Sequence, residues 1–337
     1  MAARSNLTVA VTGPTGTFGF GLMPLLEADS RIAKVVGVAR RPFDPMEHGW
    51  DKMAYRRGDV REPAVLEEAF AGADVVVHLA FLITGTSSSE TIREINVEGT
   101  VNAFRAAAAA GAKRFVYASS VAAYGFHRDN PVGMTEEWPT RPAAHLFYAQ
   151  EKAELEDLLA EEAVAHPQLG LYLLRPPVVL GPHAVGGKSE LAERFLPAAR
   201  RAAELGRRLP FHLPVPAPAL PMQFIHEADV GQAFLQCIVA AGPPGAYNIT
   251  GDGVVTGADV ARELGLAPLP VPSRLVQGAA RGLAALPMPP FVPPVAGWAE
   301  AMSHPAIMDA GKAKRDLDWH PRYLSVEALR ATLRAEA

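Results

Sequence analysis

A glycine-rich turn follows directly after an apolar run near the start of the chain. Residues 7–19 read LTVAVTGPTGTFG, and the apolar segment Phe20–Leu26 that comes next has helical composition. In a strand–turn–helix unit, Gly13 would permit the tight turn, Gly16 would let the main chain approach a pyrophosphate, and Gly19 would let the helix pack closely on the strand. The phosphates would meet the free N–H groups and the positive end of the helix dipole. This pattern predicts a dinucleotide-binding site.

Composition sets the class of protein. The 337 residues are 49% hydrophobic and 20% charged, which is typical of a globular chain with a substantial core, built as one α/β domain or two unequal lobes. A net charge of -4 gives no reason to expect nucleic acid or an anionic membrane as a partner. The single cysteine, Cys237, excludes an intramolecular disulfide. With no membrane-length apolar stretch and no signal peptide before the first strand, we expect a soluble, cytoplasmic protein.

Strands and helices are predicted to alternate through the first half of the chain. The strand candidates have continuous rather than alternating hydrophobicity, which is typical of parallel strands that are buried on both faces. We therefore expect an α/β fold with a doubly wound parallel sheet of the Rossmann type. The predicted strands are Val9–Thr12, Val35–Val38, Val75–Leu79, Phe115–Ala118 and Leu171–Leu174, and the predicted helices are Gly21–Ala28, Ala64–Ala71, Ile92–Ala110 and Glu151–Ala165.

The composition of the chain changes after about residue 180. Prolines are frequent over 209–221 and 267–294, and the strand-like segments become shorter. We expect a dinucleotide-binding domain over 1–180 with returning segments near 222–250. A smaller C-terminal lobe, over 181–221 and 251–337, would bind the substrate. Within the returning segment, a strand at Phe224–Ile225 and a helix at Glu227–Ala240 are predicted to rejoin the main sheet.

A tyrosine and a lysine stand four residues apart in YAQEK at 148–152. On a helix, Tyr148 and Lys152 would share one face about one turn apart. Tyrosine has an unperturbed pKa of about 10 and is a poor base at neutral pH. A nearby lysine cation lowers that pKa and makes the phenol a usable general acid/base. A surface Tyr/Lys pair would show the same spacing, so the interpretation depends on the neighbouring motifs.

A serine pair follows the predicted strand Phe115–Ala118. Ligands of parallel sheets bind outside the carboxyl ends of the strands, so Ser119 and Ser120 are expected to face the active-site crevice. A serine there can donate a hydrogen bond to a substrate oxygen as a carbonyl is made or consumed. The alternative is that one of the two merely caps the following turn.

Together these motifs make the chain similar to the extended short-chain dehydrogenases/reductases, the superfamily that includes nucleotide-sugar epimerases and dehydratases. The resemblance runs in family order over nearly the whole length. It rests on TGPTGTFG at 12–19, GDV at 58–60, HLA at 78–80, NVEGT at 96–100, FVYASSVAAYG at 115–125, YAQEK at 148–152, LRPPVVLGP at 174–182, FIHEADVGQA at 224–233, YNITG at 247–251 and DAGKAKRDLDWHPRY at 309–323.

The resemblance implies a catalytic triad of Ser120, Tyr148 and Lys152. Tyr148 would be the acid/base, and Lys152 would hold the nicotinamide ribose while lowering the tyrosine pKa. Asp59 with Val60 would meet the adenine, and Pro176 with Val178 would approach the nicotinamide. The cofactor-binding residues implied in this way are Gly13, Thr15, Gly16, Thr17, Phe18, Gly19, Asp59, Val60, Leu79, Ala80, Phe81, Asn96, Tyr148, Lys152, Pro176 and Val178.

Three further side chains are open to structural explanations. Asn96 lies in a helix that faces the site in related enzymes, but it could equally brace the backbone. We assign no catalytic role to His226, because a lone histidine is more often a structural hydrogen-bonding group. Cys237 is most simply core packing. No Cys/His cluster has metal-ligand spacing, so no metal is expected.

The residues at the end of the second predicted strand indicate whether the cofactor is NAD or NADP. An acidic residue about 20 residues beyond the glycine motif would hold the ribose diol of NAD. This chain instead has VARRP at 38–42, and its next carboxylate is Asp44. The planar fork of Arg40 suits a 2′-phosphate, and Arg41 adds charge. We therefore favour NADP. NAD stays an alternative, in which the arginines form a solvated turn.

The sequence indicates less about the substrate than about the cofactor. Sugar 4,6-dehydratases of the superfamily carry Thr-Asp-Glu where this chain has SVA at 120–122, which disfavours dehydration by that route. Arg207 and Arg208 could meet a diphosphate, but the sequences at 209–221 and 275–285 are largely apolar. They could cover a hydrophobic substrate or form the core of the second lobe.

The leading hypothesis is an NADP(H)-dependent oxidoreductase that interconverts a secondary alcohol and a ketone on a small, apolar or mixed-polarity molecule. The alternatives are a nucleotide-sugar epimerase with tightly bound NAD and a catalytically inactive cofactor sensor. Related proteins are often dimers through the helices that carry Tyr148 and residues 92–110, so a homodimer is a partner that the resemblance allows.

Overall fold

Seven parallel strands form the main sheet of the protein, whose computed structural model describes residues 6–83, 88–144, 146–184, 212–272, 275 and 304–334. In chain order the strands are β1 (Leu7–Thr12), β2 (Ile32–Ala39), β3 (Met53–Arg57), β4 (Val75–His78), β5 (Arg114–Ala118), β6 (Gly170–Arg175) and, after three strands that belong to other sheets, β10 (Gly245–Asn248). Their order across the sheet is β10-β6-β5-β4-β1-β2-β3. This topology confirms the predicted doubly wound Rossmann-type fold.

Two small parallel sheets lie outside the main one. The first pairs β7 (Val178–Leu180) with β9 (Phe224–His226), and the second pairs β8 (Pro214–Pro218) with β11 (Ala267–Val271). The prediction that Phe224–Ile225 rejoins the main sheet is therefore wrong. After β6, Pro176 and Pro177 offer no N–H groups for a strand ladder, so the chain leaves the main sheet there and β9 pairs with the diverging β7.

Nine α-helices accompany these strands in the described part of the chain. They are α1 (Thr17–Ala28), α2 (Pro63–Phe70), α3 (Ser89–Arg93), α4 (Gly99–Ala109), α5 (Phe147–Ala165), α6 (Glu227–Ile238), α7 (Gly257–Glu263), α8 (Gly311–Asp316) and α9 (Ser325–Arg334). The single helix predicted over Ile92–Ala110 is divided by a π-helical turn at Glu94–Glu98. The turn places Ile95, Asn96 and Val97 in the interior.

Both faces of the main sheet carry a hydrophobic core. Val9 and Val11 of β1 point into one cluster, which includes α1, α6 and Trp319. Ala10 points into the other, which includes α2, α4 and α5. Helices α1 and α6 approach each other closely, since a Cβ built on Gly231 would lie 2.0 Å from the Gly21 carbonyl oxygen. Burial on both faces explains the continuous apolar strands of the sequence.

Strand β3 was not predicted, because its sequence MAYRR has no apolar run. It is the edge strand of the main sheet, and only Met53 is buried. The predicted division into a dinucleotide-binding domain and a smaller lobe stays a prediction. No helix of the described residues is both long and apolar enough to span a bilayer.

Candidate active site

The predicted site residues cluster at the carboxyl edge of the main sheet. The strand order changes direction between β1 and β4, with β2 and β3 on one side and β5 and β6 on the other. In open α/β sheets, ligands bind in the crevice at such a switch point. Each predicted segment follows the carboxyl end of one of these strands or lies on a helix packed beside it.

The glycine-rich turn has the geometry of a phosphate-binding turn. Gly13 has φ 68°, a left-handed conformation that favours glycine. Helix α1 begins at Thr17, and its N-cap residue, Gly16, has no side chain that could cap the first turn. The free N–H groups of that turn are therefore available to an anion. A Cβ on Gly19 would lie 1.8 Å from the Pro14 carbonyl oxygen, so Gly19 packs against the turn itself rather than against the strand.

The other residues of this turn have different surroundings. Thr15 lies within the turn, and the Thr17 hydroxyl donates to the His183 carbonyl oxygen at 3.4 Å. The Phe18 ring packs on Phe234 of α6, with 6.1 Å between centroids. Because this ring packs against the core, the main chain of Phe18 is the part that would meet a phosphate.

A buried histidine joins β4 to its neighbours. His78 Nδ1 and Thr12 Oγ1 are 2.8 Å apart, and His78 Nε2 lies 3.0 Å from Thr100 Oγ1. Burial and the charge of Lys152 lower the pKa of His78 to about 3, so the ring is neutral at physiological pH. The half-buried Leu79 and Ala80 follow directly, and a Cβ on Gly13 would lie 2.8 Å from the Ala80 nitrogen. His78 thus fixes the segment beside the glycine-rich turn.

Asn96 braces the backbone after β4. Its Oδ1 accepts from the Leu82 N–H at 2.7 Å, and its Nδ2 donates to the Leu82 carbonyl oxygen at 2.9 Å. Nδ2 also donates to Glu151 Oε2 at 2.7 Å. Burial raises the pKa of Glu151, and the bond from Asn96 opposes this shift. Of the two interpretations of Asn96, bracing is the one observed, and its cofactor contact stays a prediction.

Ser120, Tyr148 and Lys152 lie together beyond the carboxyl end of β5. Tyr148 is in the first turn of α5, and Lys152 follows one turn later. The Ser120 hydroxyl accepts from the Ala122 N–H at 3.1 Å, so it caps the next turn, and it also hydrogen-bonds Tyr148. Burial raises the pKa of Tyr148, and the Ser120 bond opposes this only in part. The phenol is therefore protonated at neutral pH, in contrast to the lowering by Lys152 that the sequence led us to expect.

The Lys152 ammonium lies in an almost dry environment. It donates to the Ala118 carbonyl oxygen at 2.7 Å and to the Tyr117 hydroxyl at 3.0 Å. The Phe81 ring covers it, with its centroid 3.6 Å from Nζ, and meets Tyr148 edge to face. Burial lowers the pKa of Lys152 to about 7, although the carboxylates of Glu156 and Glu151 oppose the shift.

A buried polar network that sequence reasoning missed lies next to the predicted triad residues. The Ser119 hydroxyl donates to Glu156, and Glu156 Oε1 accepts from Arg175 Nε at 2.9 Å. Arg175 also donates to the Tyr124 hydroxyl at 2.6 Å, which in turn donates to Asn248 Oδ1 at 2.8 Å. The sequence did contain an indication of this network, because an arginine that ends the apolar strand LYLLR must find a buried partner.

The remaining predicted residues line the two sides of the crevice. Arg40 and Arg41 are exposed after β2. After β3, Val60 is buried in the core. Burial raises the pKa of the neighbouring Asp59, but the hydrogen bonds from the Arg61 side chain, at 2.8 and 3.1 Å, outweigh this effect and the pKa of Asp59 is lowered. On the other side, the buried Pro176 accepts from the Val121 N–H at 2.9 Å, and Val178 is 42% exposed. Arg207, Arg208 and the apolar segment 276–285 lie outside the described residues.

Comparison with known proteins identifies the family of the chain. The model of the NAD dependent epimerase/dehydratase family matches residues 9–250. The chain belongs to this family, whose extended short-chain dehydrogenase/reductase members the sequence resembles. The resemblance is thereby confirmed.

Two relatives differ in how much of the chain they match. Ceramide reductase of Caulobacter vibrioides is 28% identical over 337 residues, covering 95% of this chain and 88% of its own. The Escherichia coli N-acetyl-alpha-D-glucosaminyl-diphospho-ditrans,octacis-undecaprenol 4-epimerase is 30% identical, over 56% of this chain and 54% of its own. The chain is thus similar to the reductase over nearly its whole length and to the epimerase over about half.

Solved structures share the fold at low identity. The dTDP-glucose 4,6-dehydratase of Bacillus anthracis in complex with NAD has a TM-score of 0.70 at 18% identity, with 97% of this chain and 96% of that chain covered. The UDP-glucose 4-epimerase of Thermus thermophilus with NAD has a TM-score of 0.68 at 22% identity, with coverage of 97% and 98%. Both of these structures contain NAD.

The buried ammonium of Lys152 should make stability depend on pH. Unfolding restores a lysine pKa near 10.5, against about 7 in the folded protein. Between these values the unfolded chain binds a proton that the folded protein has lost, so the free energy of unfolding rises with pH, by at most about 1.4 kcal/mol per pH unit. Lys152→Met should therefore exceed the wild type in stability most below pH 7, and the difference should shrink towards about pH 10.

Urea unfolding at several pH values measures this difference. Lys113→Met, at an exposed lysine before β5, is the control and should give a difference from wild type that does not change with pH. A constant difference for Lys152→Met as well would show that Lys152 keeps an ordinary pKa in the folded protein.

Proposed function

We propose that the protein is an NADP(H)-dependent oxidoreductase that interconverts a secondary alcohol and a ketone on a small apolar molecule. The observation that carries the proposal is the grouping of Ser120, Tyr148 and Lys152 beyond β5, at the crevice edge of the sheet. The uncapped first turn of α1 and the close approach of Gly13 to Ala80 fit a dinucleotide at the same edge. The bound nicotinamide would supply or accept a hydride.

The protonated Tyr148 is suited to donate its proton to the carbonyl oxygen of a ketone as that oxygen gains charge. Ser120, already hydrogen-bonded to Tyr148, would donate to the same oxygen and stabilise the developing charge. Lys152, with Nζ 5.8 Å from the Tyr148 ring centroid, would favour the phenolate that remains and would hold the ribose hydroxyls. In the direction of alcohol oxidation, the phenolate would take the proton back.

Two observations support an apolar substrate. Phe81 covers Lys152 and meets Tyr148, and Val178 exposes apolar surface after β6, so apolar side chains contribute to this side of the site beside the polar groups. One relative that matches over 88% of its own length is a ceramide reductase. A lipid-like ketone is therefore the first substrate class to test.

The alternative enzymatic activity is that of a nucleotide-sugar epimerase, which the partial similarity to a 4-epimerase favours. An epimerase oxidises and re-reduces the same carbon, so it should purify with tightly held nicotinamide, whereas the proposed reductase should exchange its cofactor. We expect the purified protein to release little nicotinamide on denaturation, as measured by absorbance and mass spectrometry. Stoichiometric NAD in the released fraction would favour the epimerase.

Tyr148→Phe should abolish turnover and leave cofactor affinity nearly unchanged, because it removes the proton donor and little contact area. The measurement is NADPH oxidation with the best lipid-like ketone found for the wild type, together with the cofactor dissociation constant. Tyr172→Phe, which loses a buried hydroxyl remote from the triad, is the matched control and should stay active. If Tyr148→Phe keeps more than about a tenth of the activity, Tyr148 is not the general acid/base.

Arg40→Ala should weaken NADP binding roughly ten-fold or more and barely change NAD binding, because a charge-assisted bond to a phosphate is lost. Dissociation constants for both cofactors, by titration calorimetry, test this. Arg40→Lys keeps the charge without the planar fork and should fall between the two. If the wild type binds NAD more tightly than NADP, the NADP preference is wrong.

A further inference from the structure

The last residue of β3 brings a third arginine to the turn that carries Arg40 and Arg41. Arg57 pairs in register with Ala39, the last residue of β2, so its Cα lies beside the residue that precedes Arg40. Arg57 Nε donates to the Arg40 carbonyl oxygen at 2.9 Å, which fixes its guanidinium against the turn. Among the described residues, its two terminal nitrogens have no hydrogen-bond partner.

The neighbouring carboxylates are already engaged. Arg61 binds Asp59 with two side-chain bonds and also pairs with Glu94. Arg56, which precedes Arg57 on the strand, pairs with Glu68. The alternation of side chains along a strand separates these two arginines onto opposite faces of β3.

Three arginine charges therefore lie near this turn. Asp59 interacts electrostatically with Arg40, but its ion pair is with Arg61. Within the described residues, Arg40, Arg41 and Arg57 form no ion pair, and all three are exposed at one edge of the sheet. Asp44 beyond them uses its carboxylate to accept from the Met46 N–H at 2.9 Å. Like charges repel when they are held together, and the arrangement is relieved by a bound anion with several oxygen acceptors.

We infer that Arg57, together with Arg40, forms the subsite that receives the 2′-phosphate of NADP(H). This rests on the proposed function, because the subsite has a purpose only if the cofactor carries that phosphate. The Nε bond to the turn orders the guanidinium in advance, so that its two terminal nitrogens present a bidentate edge to the phosphate. Arg57 would therefore be a cofactor-specificity residue on β3, beside the turn after β2 that carries Arg40.

Adenosine 2′,5′-bisphosphate and adenosine 5′-monophosphate isolate this subsite from the chemistry, because they differ only in the 2′-phosphate. Calorimetric titration should show that the wild type binds the bisphosphate more tightly. Arg57→Ala should weaken bisphosphate binding roughly ten-fold or more and leave monophosphate binding unchanged. Arg56→Ala, the matched control, removes an arginine one residue away and should change neither affinity by more than about two-fold.

The double variant Arg40→Ala/Arg57→Ala separates direct contact from positioning. If Arg57 binds the phosphate itself, the double variant should be weaker than Arg40→Ala alone. If it equals Arg40→Ala, Arg57 acts only through the turn, and the inference is overturned. The same holds if Arg57→Ala and Arg56→Ala have equal effects, since that indicates a general field of charge.

The two proposals fail in different ways. A wild type that binds both nucleotides equally well removes the NADP preference and the subsite with it. A wild type that prefers the bisphosphate, with an effect from Arg40→Ala but none from Arg57→Ala, keeps the NADP preference and eliminates Arg57 alone.

Discussion

The buried ion pair between Glu156 and Arg175 is the interaction on which the site geometry depends. Arg175 ends β6, and Glu156 lies one turn beyond Lys152 on α5, so the pair joins the helix that carries Tyr148 and Lys152 to the sheet. Ser119 connects the same carboxylate to the end of β5, next to Ser120. A buried charge that lost its partner would cost several kcal/mol, roughly 3–5. Ser120, Tyr148 and Lys152 are therefore held by one shared structural support.

Burial and neighbouring charges shift the pKa values of the site residues in opposite directions. Burial raises the pKa of Tyr148 and lowers that of Lys152, while the Glu156 and Glu151 carboxylates favour the charged lysine. The charge of Lys152 also contributes to keeping His78 neutral. The site thus keeps a protonated phenol near an ammonium whose pKa is close to neutrality.

Particular elements show where sequence reasoning succeeds and where it stops. Continuous apolar strands and the glycine-rich turn indicated the doubly wound sheet. Burial on both faces requires a run of apolar residues, and a positive φ favours glycine, so both features are visible in a short stretch of sequence. Strand β3 left no such mark, since at a sheet edge only Met53 is buried. The π-helical turn at Glu94–Glu98 was also invisible, because its composition is that of an ordinary helix. The separation of β7 and β9 from the main sheet depends on pairing between segments far apart in the chain.

The sequence by itself determined the fold class, the family and the candidate triad, since spacing along one strand or one helix fixes which side chains share a face. Only the tertiary structure decided the partners of those side chains. It placed Asn96 on the Leu82 backbone, Phe81 over Lys152, Glu156 on Arg175 and Arg57 beside the Arg40 turn. Each of these contacts joins residues at least 14 positions apart, most of them on different elements. Such contacts depend on packing in three dimensions, and no local periodicity encodes them.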